Sequence, residues 1–168
     1  WLINLDYKPT SDMLLYAKYA RGYRQGGINF TNPGVELWDP EEVDNYEVGA
    51  KMSFDGAVPG YLNLAYFYND YREQQIFGAL ISNTPGVSGG AAIINAGESA
   101  ISGLELDASF LFFDSLNVTA SYAYLDTEIK ELDISSVNLD GTPFGAIVPR
   151  AIEGGPLNLA PENKLSVT

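Results

Sequence analysis

The chain has 168 residues, 46% of them hydrophobic and 12% aromatic, with 11 tyrosines among the aromatics. Its 22 acidic residues against 9 basic ones give a formal net charge of −13, which argues against a nucleic-acid partner because phosphate binding needs a basic surface. Cysteine and histidine are both absent, which removes thiolate and imidazole zinc sites, cysteine nucleophiles and any Ser-His-Asp triad lying wholly within the chain. No cofactor and no enzymatic activity are expected.

The sequence opens at Trp1 with no initiator methionine and no charged-then-apolar leader, and it closes on Leu165-Ser-Val-Thr168 in mid-strand. It therefore reads as a fragment without a signal peptide. From Trp1 to Tyr7, Trp1, Ile3, Leu5 and Tyr7 alternate against Leu2, Asn4 and Asp6, the tail of a strand. A short turn follows at 8–12. The next strand, 13–23, sets Met13, Leu15, Ala17 and Tyr19 on one face and Lys18 on the other. A long loop over 24–40 holds Gly26-Gly27, Asn32-Pro33-Gly34 and Asp39-Pro40.

Residues 43–54 alternate again, with Tyr46, Val48, Ala50, Met52 and Phe54 opposite Asn45, Glu47, Gly49, Lys51 and Ser53. After a turn at 55–60, Leu62, Leu64, Tyr66 and Tyr68 alternate against Asn63, Ala65, Phe67 and Asn69, continuing towards Ile76. Residues 82–92 are expected to form a loop.

Ile101 to Glu131 spells the clearest hairpin. Leu104, Leu106, Ala108, Phe110 and Phe112 face away from Gly103, Glu105, Asp107 and Ser109. Across an expected Asp114-Ser115 connection, Leu116, Val118, Ala120, Tyr122 and Tyr124 alternate against Asn117, Thr119, Ser121 and Ala123. Each run lasts about ten residues, where soluble strands usually stop at about five or six and a tilted membrane strand needs about nine to eleven. The longest loop is expected over 132–160, and 163–168 begins a last strand.

Short connections thus follow the first, third and fifth strands, and long ones follow the second, fourth and sixth. That beat is the signature of outer-membrane barrels, with tight periplasmic turns and long external loops. Aromatics band in the same way: Tyr7, Phe54, Tyr61, Phe112 and Phe113 lie beside the short turns, and Tyr23, Tyr68, Tyr71, Tyr122 and Tyr124 lie further up.

Four motifs then occur in order: Tyr16-Ala-Lys-Tyr-Ala-Arg-Gly-Tyr-Arg-Gln-Gly-Gly-Ile-Asn29, Pro40-Glu-Glu-Val-Asp-Asn-Tyr-Glu-Val-Gly-Ala-Lys51, Phe67-Tyr-Asn-Asp-Tyr-Arg-Glu-Gln-Gln75 and Asn95-Ala-Gly-Glu-Ser-Ala-Ile-Ser-Gly-Leu-Glu105. Their order and spacing resemble the TonB-dependent outer-membrane receptors, whose pattern has Phe where this chain has Ile28. The resemblance implies an all-β chain, part of a large antiparallel transmembrane β-barrel, with about six complete strands plus a partial one. The parent barrel would have roughly 22 strands around a plug, with the plug domain and signal peptide outside residues 1–168.

The implied function is import of ferric siderophores or similar scarce nutrients across the bacterial outer membrane. The implied partners are outer-membrane lipid, the substrate, and the TonB complex acting through the plug. A passive porin or adhesin-anchoring barrel shares the hairpins without the motif order, and a soluble β-sandwich is the third reading.

Two residue sets follow. Arg24, Gln25, Asn29, Trp38, Arg72, Gln74 and Gln75 sit at or near external loop ends, where arginine with planar amides and an aromatic suits an anionic iron chelate. The plainer reading is ordinary loop and rim residues. Glu47, Lys51, Glu105 and Asp107 face the lumen, lining a substrate path, gripping the plug, or serving as solvated wall. Asp39, Glu41 and Glu42 lack the spacing of a calcium loop, and no metal site is expected.

Overall fold

A computed structural model describes residues 1–30 and 32–168, and among them only strands and irregular connections occur. None of the described residues forms a helix long and apolar enough to cross a membrane. The strands are β1 (Leu2–Thr10), β2 (Met13–Arg24), β3 (Gly27–Ile28), β4 (Leu37–Trp38), β5 (Glu41–Phe54), β6 (Gly60–Ser82), β7 (Gly90–Phe112), β8 (Leu116–Leu132), β9 (Phe144–Pro149) and β10 (Asn163–Val167). The main sheet runs β1-β2-β5-β6-β7-β8-β10, with every neighbouring pair antiparallel.

Register carries each strand's alternation across the whole sheet, because a residue and its partner project from the same face. Leu5, Ala17, Val48, Tyr66, Leu104 and Tyr124 lie in one such row. The next row along, Lys18, Glu47, Phe67 and Gly103, projects from the opposite face. One face is therefore apolar from the turns up to the tyrosines, and the other is polar. Among the described residues nothing covers the apolar face: Leu5 is 70% exposed, Val48 53% and Leu165 69%. A water-soluble sheet does not leave an apolar surface of this extent open.

The tight turns at the lower end follow local chemistry. Between β7 and β8 the central residues are Phe113 and Asp114, with φ of 53° and 56°, and Ser115 N donates to Phe112 O at 3.1 Å. Two consecutive positive φ values match the sheet's twist in a type I′ turn. The turn therefore sits one residue earlier than the expected Asp114-Ser115 connection.

Above the tyrosines the strands behave differently. β6 and β7 run 23 residues each, well past the start of β5 at Glu41. The loop expected over 82–92 is a short connection, 83–89, between two strands that continue upwards. The run Ile76-Phe-Gly-Ala-Leu80 shows no polar alternation because its exposed face carries Phe77 while its buried face carries Ile76 and Leu80, which hides a strand from a period-two reading. The long connection beyond β8 also contains β9, which pairs β6 on the edge that β5 leaves vacant above Arg72. A small core gathers there from Val35, Leu80, Ala92, Ile94, Ala96, Phe144 and Ile147.

Candidate functional site

Five of the seven loop-end residues gather around a break in the β6–β7 ladder. Register shifts occur between Tyr71 and Gln74 and again between Gln74 and Gln75. The offsets cancel, so Tyr71↔Ser99 below and Gln75↔Asn95 above share one register. Glu73 takes the extra turn at a φ of 51°. Bulges of this kind re-aim side chains and release backbone groups.

Those groups tie the first long loop to the hairpin. Gln75 Nε2 donates to Gln25 O at 3.0 Å and Asp39 O at 3.1 Å, while Gln75 N donates to Glu41 Oε2 at 2.8 Å. Arg24 Nη2 donates to the same Glu41 oxygen at 2.9 Å. Asn95 accepts from Asp39 N at 2.6 Å and donates to Asp39 O at 2.9 Å and Glu73 O at 2.8 Å. Higher up, Asn29 acts as a one-residue strand. Its Oδ1 accepts from Ile93 N at 3.1 Å and its Nδ2 donates to Ile93 O at 2.9 Å and Val35 O at 2.5 Å. The Trp38 indole lies so close over Gly27 that a Cβ there would come within 2.4 Å of it.

Arg24, Gln25, Asn29, Trp38 and Gln75 thus meet at one place, and their polar groups are largely spent on holding it together. Arg72 faces the other way. Gln74 keeps a buried Oε1 with no hydrogen-bond partner. Asp39 and Glu41, weighed in the sequence only as calcium ligands, and Asn95, not singled out there, are the other half of this knot. Nothing local in the sequence marks a side chain that substitutes for a backbone partner.

Arg72 belongs to a charged row on the apolar-face side, one step above the tyrosines. Arg21 Nε and Nη2 each donate to Asp44 at 2.7 Å, Tyr19 OH donates to Asp44 Oδ1 at 2.6 Å, and Arg72 also pairs with Asp44. Lys130 Nζ donates to Tyr68 OH at 2.6 Å and Asp70 Oδ1 at 3.0 Å. The outward face therefore changes within one residue pair from Tyr46 to Asp44 and from Tyr68 to Asp70. A change of this kind is the pattern expected at the rim of an apolar band.

The four lumen residues lie on the polar face, in two groups. Glu47 accepts from Tyr16 OH at 2.9 Å and pairs with Lys18, and Lys51 Nζ lies 5.7 Å from the Tyr16 ring centroid. Asp107 accepts from Ser121 at 3.0 Å, and Glu105 lines the same cleft of about 350 Å³ with Lys51 and Lys164. Tyr16 lies over Gly49 and Phe67 over Gly103, so close that a Cβ at either glycine would fall within 2.6 Å of the ring. Among the described residues no cluster of His, Cys, Asp or Glu could hold a metal ion. In the external connections, Ser135 donates to Asp133 and backbone N–H groups of Gly34 and Glu36 donate to Glu36, holding both carboxyls below the usual carboxylate range.

The family model for the TonB dependent receptor-like β-barrel matches residues 1–168. The chain belongs to that family. Members are outer-membrane β-barrels, and a sheet with one uncovered apolar face and one polar face is the pattern a stretch of such a wall needs. The probable TonB-dependent siderophore receptor PiuA of Acinetobacter baumannii is 29% identical over 135 residues, covering 76% of this chain and 17% of the relative. The pesticin receptor of Yersinia enterocolitica is 26% identical over 168 residues, covering 88% of this chain and 24% of the relative.

Among solved structures, the ferric yersiniabactin uptake receptor FyuA of Yersinia pestis superposes with a TM-score of 0.69 at 20% identity, covering 99% of this chain and 22% of that one. The siderophore receptor PiuA of Acinetobacter baumannii gives 0.70 at 22% identity, with the same coverage. The chain spans about a fifth of the length of the relatives it matches. These relatives are transport receptors, and the fold is part of a large antiparallel transmembrane β-barrel.

Proposed function

We propose that the chain is one stretch of the wall of an outer-membrane receptor that imports ferric siderophores or similar scarce metal chelates. Import is energised by the TonB complex acting through a plug domain elsewhere in the protein. The observation that carries this reading is the match to a receptor-barrel family along the whole chain, joined to a sheet with one lipid-ready face and one polar face. The charged wall residues Glu47, Lys51, Glu105 and Asp107 then face the plug and its hydrated gap. The knot around Gln75 holds the first long loop over the mouth, where the substrate arrives.

Uptake of radioactive iron supplied as a panel of ferric chelates tests the proposal. A strain lacking the full gene should lose uptake of at least one chelate, and loss of the TonB complex should abolish the same uptake. Unchanged uptake of every chelate in the gene deletion, or uptake that persists without the TonB complex, would sink it.

A further inference from the structure

Three neighbouring strands each carry one extra residue at the same height. On β6 the extra residue falls between Tyr71 and Gln74, opposite Ser99 and Gly97, and on β7 it is Ala96, between the partners of Gln74 and Gln75. On β8 it is Lys130, since Ser99 and Glu98 pair with Ile129 and Glu131. The bulges therefore form a line across the sheet through Glu73, Ala96 and Lys130. Glu73 in addition holds a left-handed φ of 51°. A bulge leaves a residue unpaired and interrupts the ladder, so this line is more thinly bonded than the wall below it.

The other edge of β6 is open at the same height. Its pairing with β5 ends at Arg72, opposite Glu42, and its pairing with β9 begins at Gly78, opposite Pro149. Among the described residues no strand pairs 73–76 on that side, and Gln75 N donates instead to the Glu41 carboxylate at 2.8 Å. Above the line the structure is firmly bonded again. β9, β6 and β7 form three paired strands over the core of Val35, Leu80, Ile94, Phe144 and Ile147. The middle of the first long loop is fastened to β7, by Asn29 on Ile93 and by Asn32 Nδ2, which donates to Ala91 O at 2.7 Å. Two well-paired bodies thus meet along a thinly bonded line, the arrangement in which a few residues absorb a rigid-body rotation.

One carboxylate ties the two bodies together. Glu41 is the first residue of β5 and is 8% exposed. Its Oε2 accepts from Arg24 Nη2, at the top of β2, at 2.9 Å, and from Gln75 N, above the line. Hydrogen bonds to an ionised group are about twice as strong as neutral ones. Gln75 Nε2 and Asn95 Nδ2 also reach across, to Gln25 O and Asp39 O, but those belong to loop ends that can travel with the hairpin. We infer that the line of bulges is a hinge on which the upper hairpin, β9 and the middle of the first long loop swing as one body against the wall, and that Glu41 is the latch holding that body in the pose seen here. Its meaning as a lid over the mouth rests on the receptor reading; the mechanics do not.

The test is pulsed paramagnetic-resonance distance measurement on the full-length receptor in vesicles, with nitroxides on pairs of introduced cysteines. Val87 with Val148 lies within the upper body, Ser115 with Asp126 lies within the wall, and Asp126 with Val148 spans the line; all four positions are exposed. Glu41→Ala should widen the 126–148 distance distribution about twofold or more, because a body freed from one pose samples several. The 87–148 and 115–126 distributions should match those of the unsubstituted receptor. Glu42→Ala removes the adjacent carboxylate, which is 50% exposed and 3.9 Å from Arg72, and should leave all three distributions unchanged.

An unchanged 126–148 width in Glu41→Ala would overturn the inference, as would equal widening of the 87–148 pair, which would mean the upper part loosens rather than swings. The 115–126 pair shows that the wall is still folded in each variant. Iron uptake separates the two readings. A receptor that imports a chelate yet keeps its 126–148 width in Glu41→Ala refutes only the hinge. A protein that imports nothing but shows the widening refutes only the receptor.

Discussion

The lower wall and the upper clasp of this sheet are built by different rules. Below the tyrosine row, every strand keeps a strict period of two, neighbours pair without interruption from Met13↔Met52 to Tyr19↔Tyr46, and the turns are short. Above it, the ladder breaks at Glu73, loops cross to edges that are not their sequence neighbours, and a hydrophobic core forms from the chain's own residues. The difference shows where stability comes from in each half. Lipid supplies the apolar environment below, so a strand needs only alternation. Water surrounds the upper half, so it must bury its own apolar surface and satisfy its own backbone.

The first way to break this comparison is to empty the upper core. Phe144 is 6% exposed and sits against Leu80 and Ile147, so Phe144→Ala should cost about 3–5 kcal/mol of local stability. Amide exchange at Leu80 and Ile81 should quicken, while exchange in β5 and lower β6 stays as it was. Faster exchange throughout the wall would mean the two halves are one cooperative unit.

Next is a charge on the lipid side of the lower wall. Val48→Arg should cost about 2–4 kcal/mol near the bilayer middle, read as a loss of heat-modifiable barrel on gels. Asn63→Arg, on the lumen face, should lie within about 0.5 kcal/mol of the wild type.

A smaller effect sharpens the boundary between the halves. Gln75→Ala removes the amide that donates to Gln25 O and Asp39 O, at about 1–2 kcal/mol for two surface hydrogen bonds lost. Limited proteolysis should then cut within 25–40 sooner, with the barrel otherwise intact. Smallest is a gain. Asp114 holds a φ of 56° in the lower turn, and Asp114→Gly should stabilise the β7–β8 hairpin by about 1 kcal/mol, seen as a shift in the urea midpoint for folding into vesicles.

How much was legible in the sequence follows the same division. The period-two runs of 43–54 and 101–124 expose strand, face and length together, because a lipid-facing wall has only that one pattern to satisfy. The family motifs around Tyr16, Tyr46, Tyr68 and Asn95 carried the rest of the architecture. The upper half was read less well. Ile76 to Ser82 is apolar on both faces, so its continuation as strand was masked, and β9 lay inside what looks like an unbroken loop. Tyr71 and Tyr61 were placed in aromatic girdles, yet register puts both on the lumen face, opposite Ser99 and Ser109.

Among the site residues, the grouping of Arg24, Gln25, Asn29, Trp38 and Gln75 was visible from their common loop-end position. Their mutual hydrogen bonding was not, since it depends on a bulge that only the paired strand reveals. Arg72 shows the limit most simply. It is one residue from the bulge, and its direction, outward onto Asp44, is set by strand parity rather than by its neighbours in sequence.

The central claim is that the face carrying Tyr46, Val48, Ala50 and Met52 lies against lipid and that the band ends at Asp44. The chain has no cysteine, so single cysteines placed along 42–54 of the full-length receptor in vesicles can each carry a nitroxide. Residues 46–54 should alternate between oxygen-accessible and nickel-chelate-accessible with a period of two, and labels at 42 and 44 should meet the nickel chelate. Nickel access at every position from 46 to 54 would contradict a lipid-facing wall and with it the account of the fold.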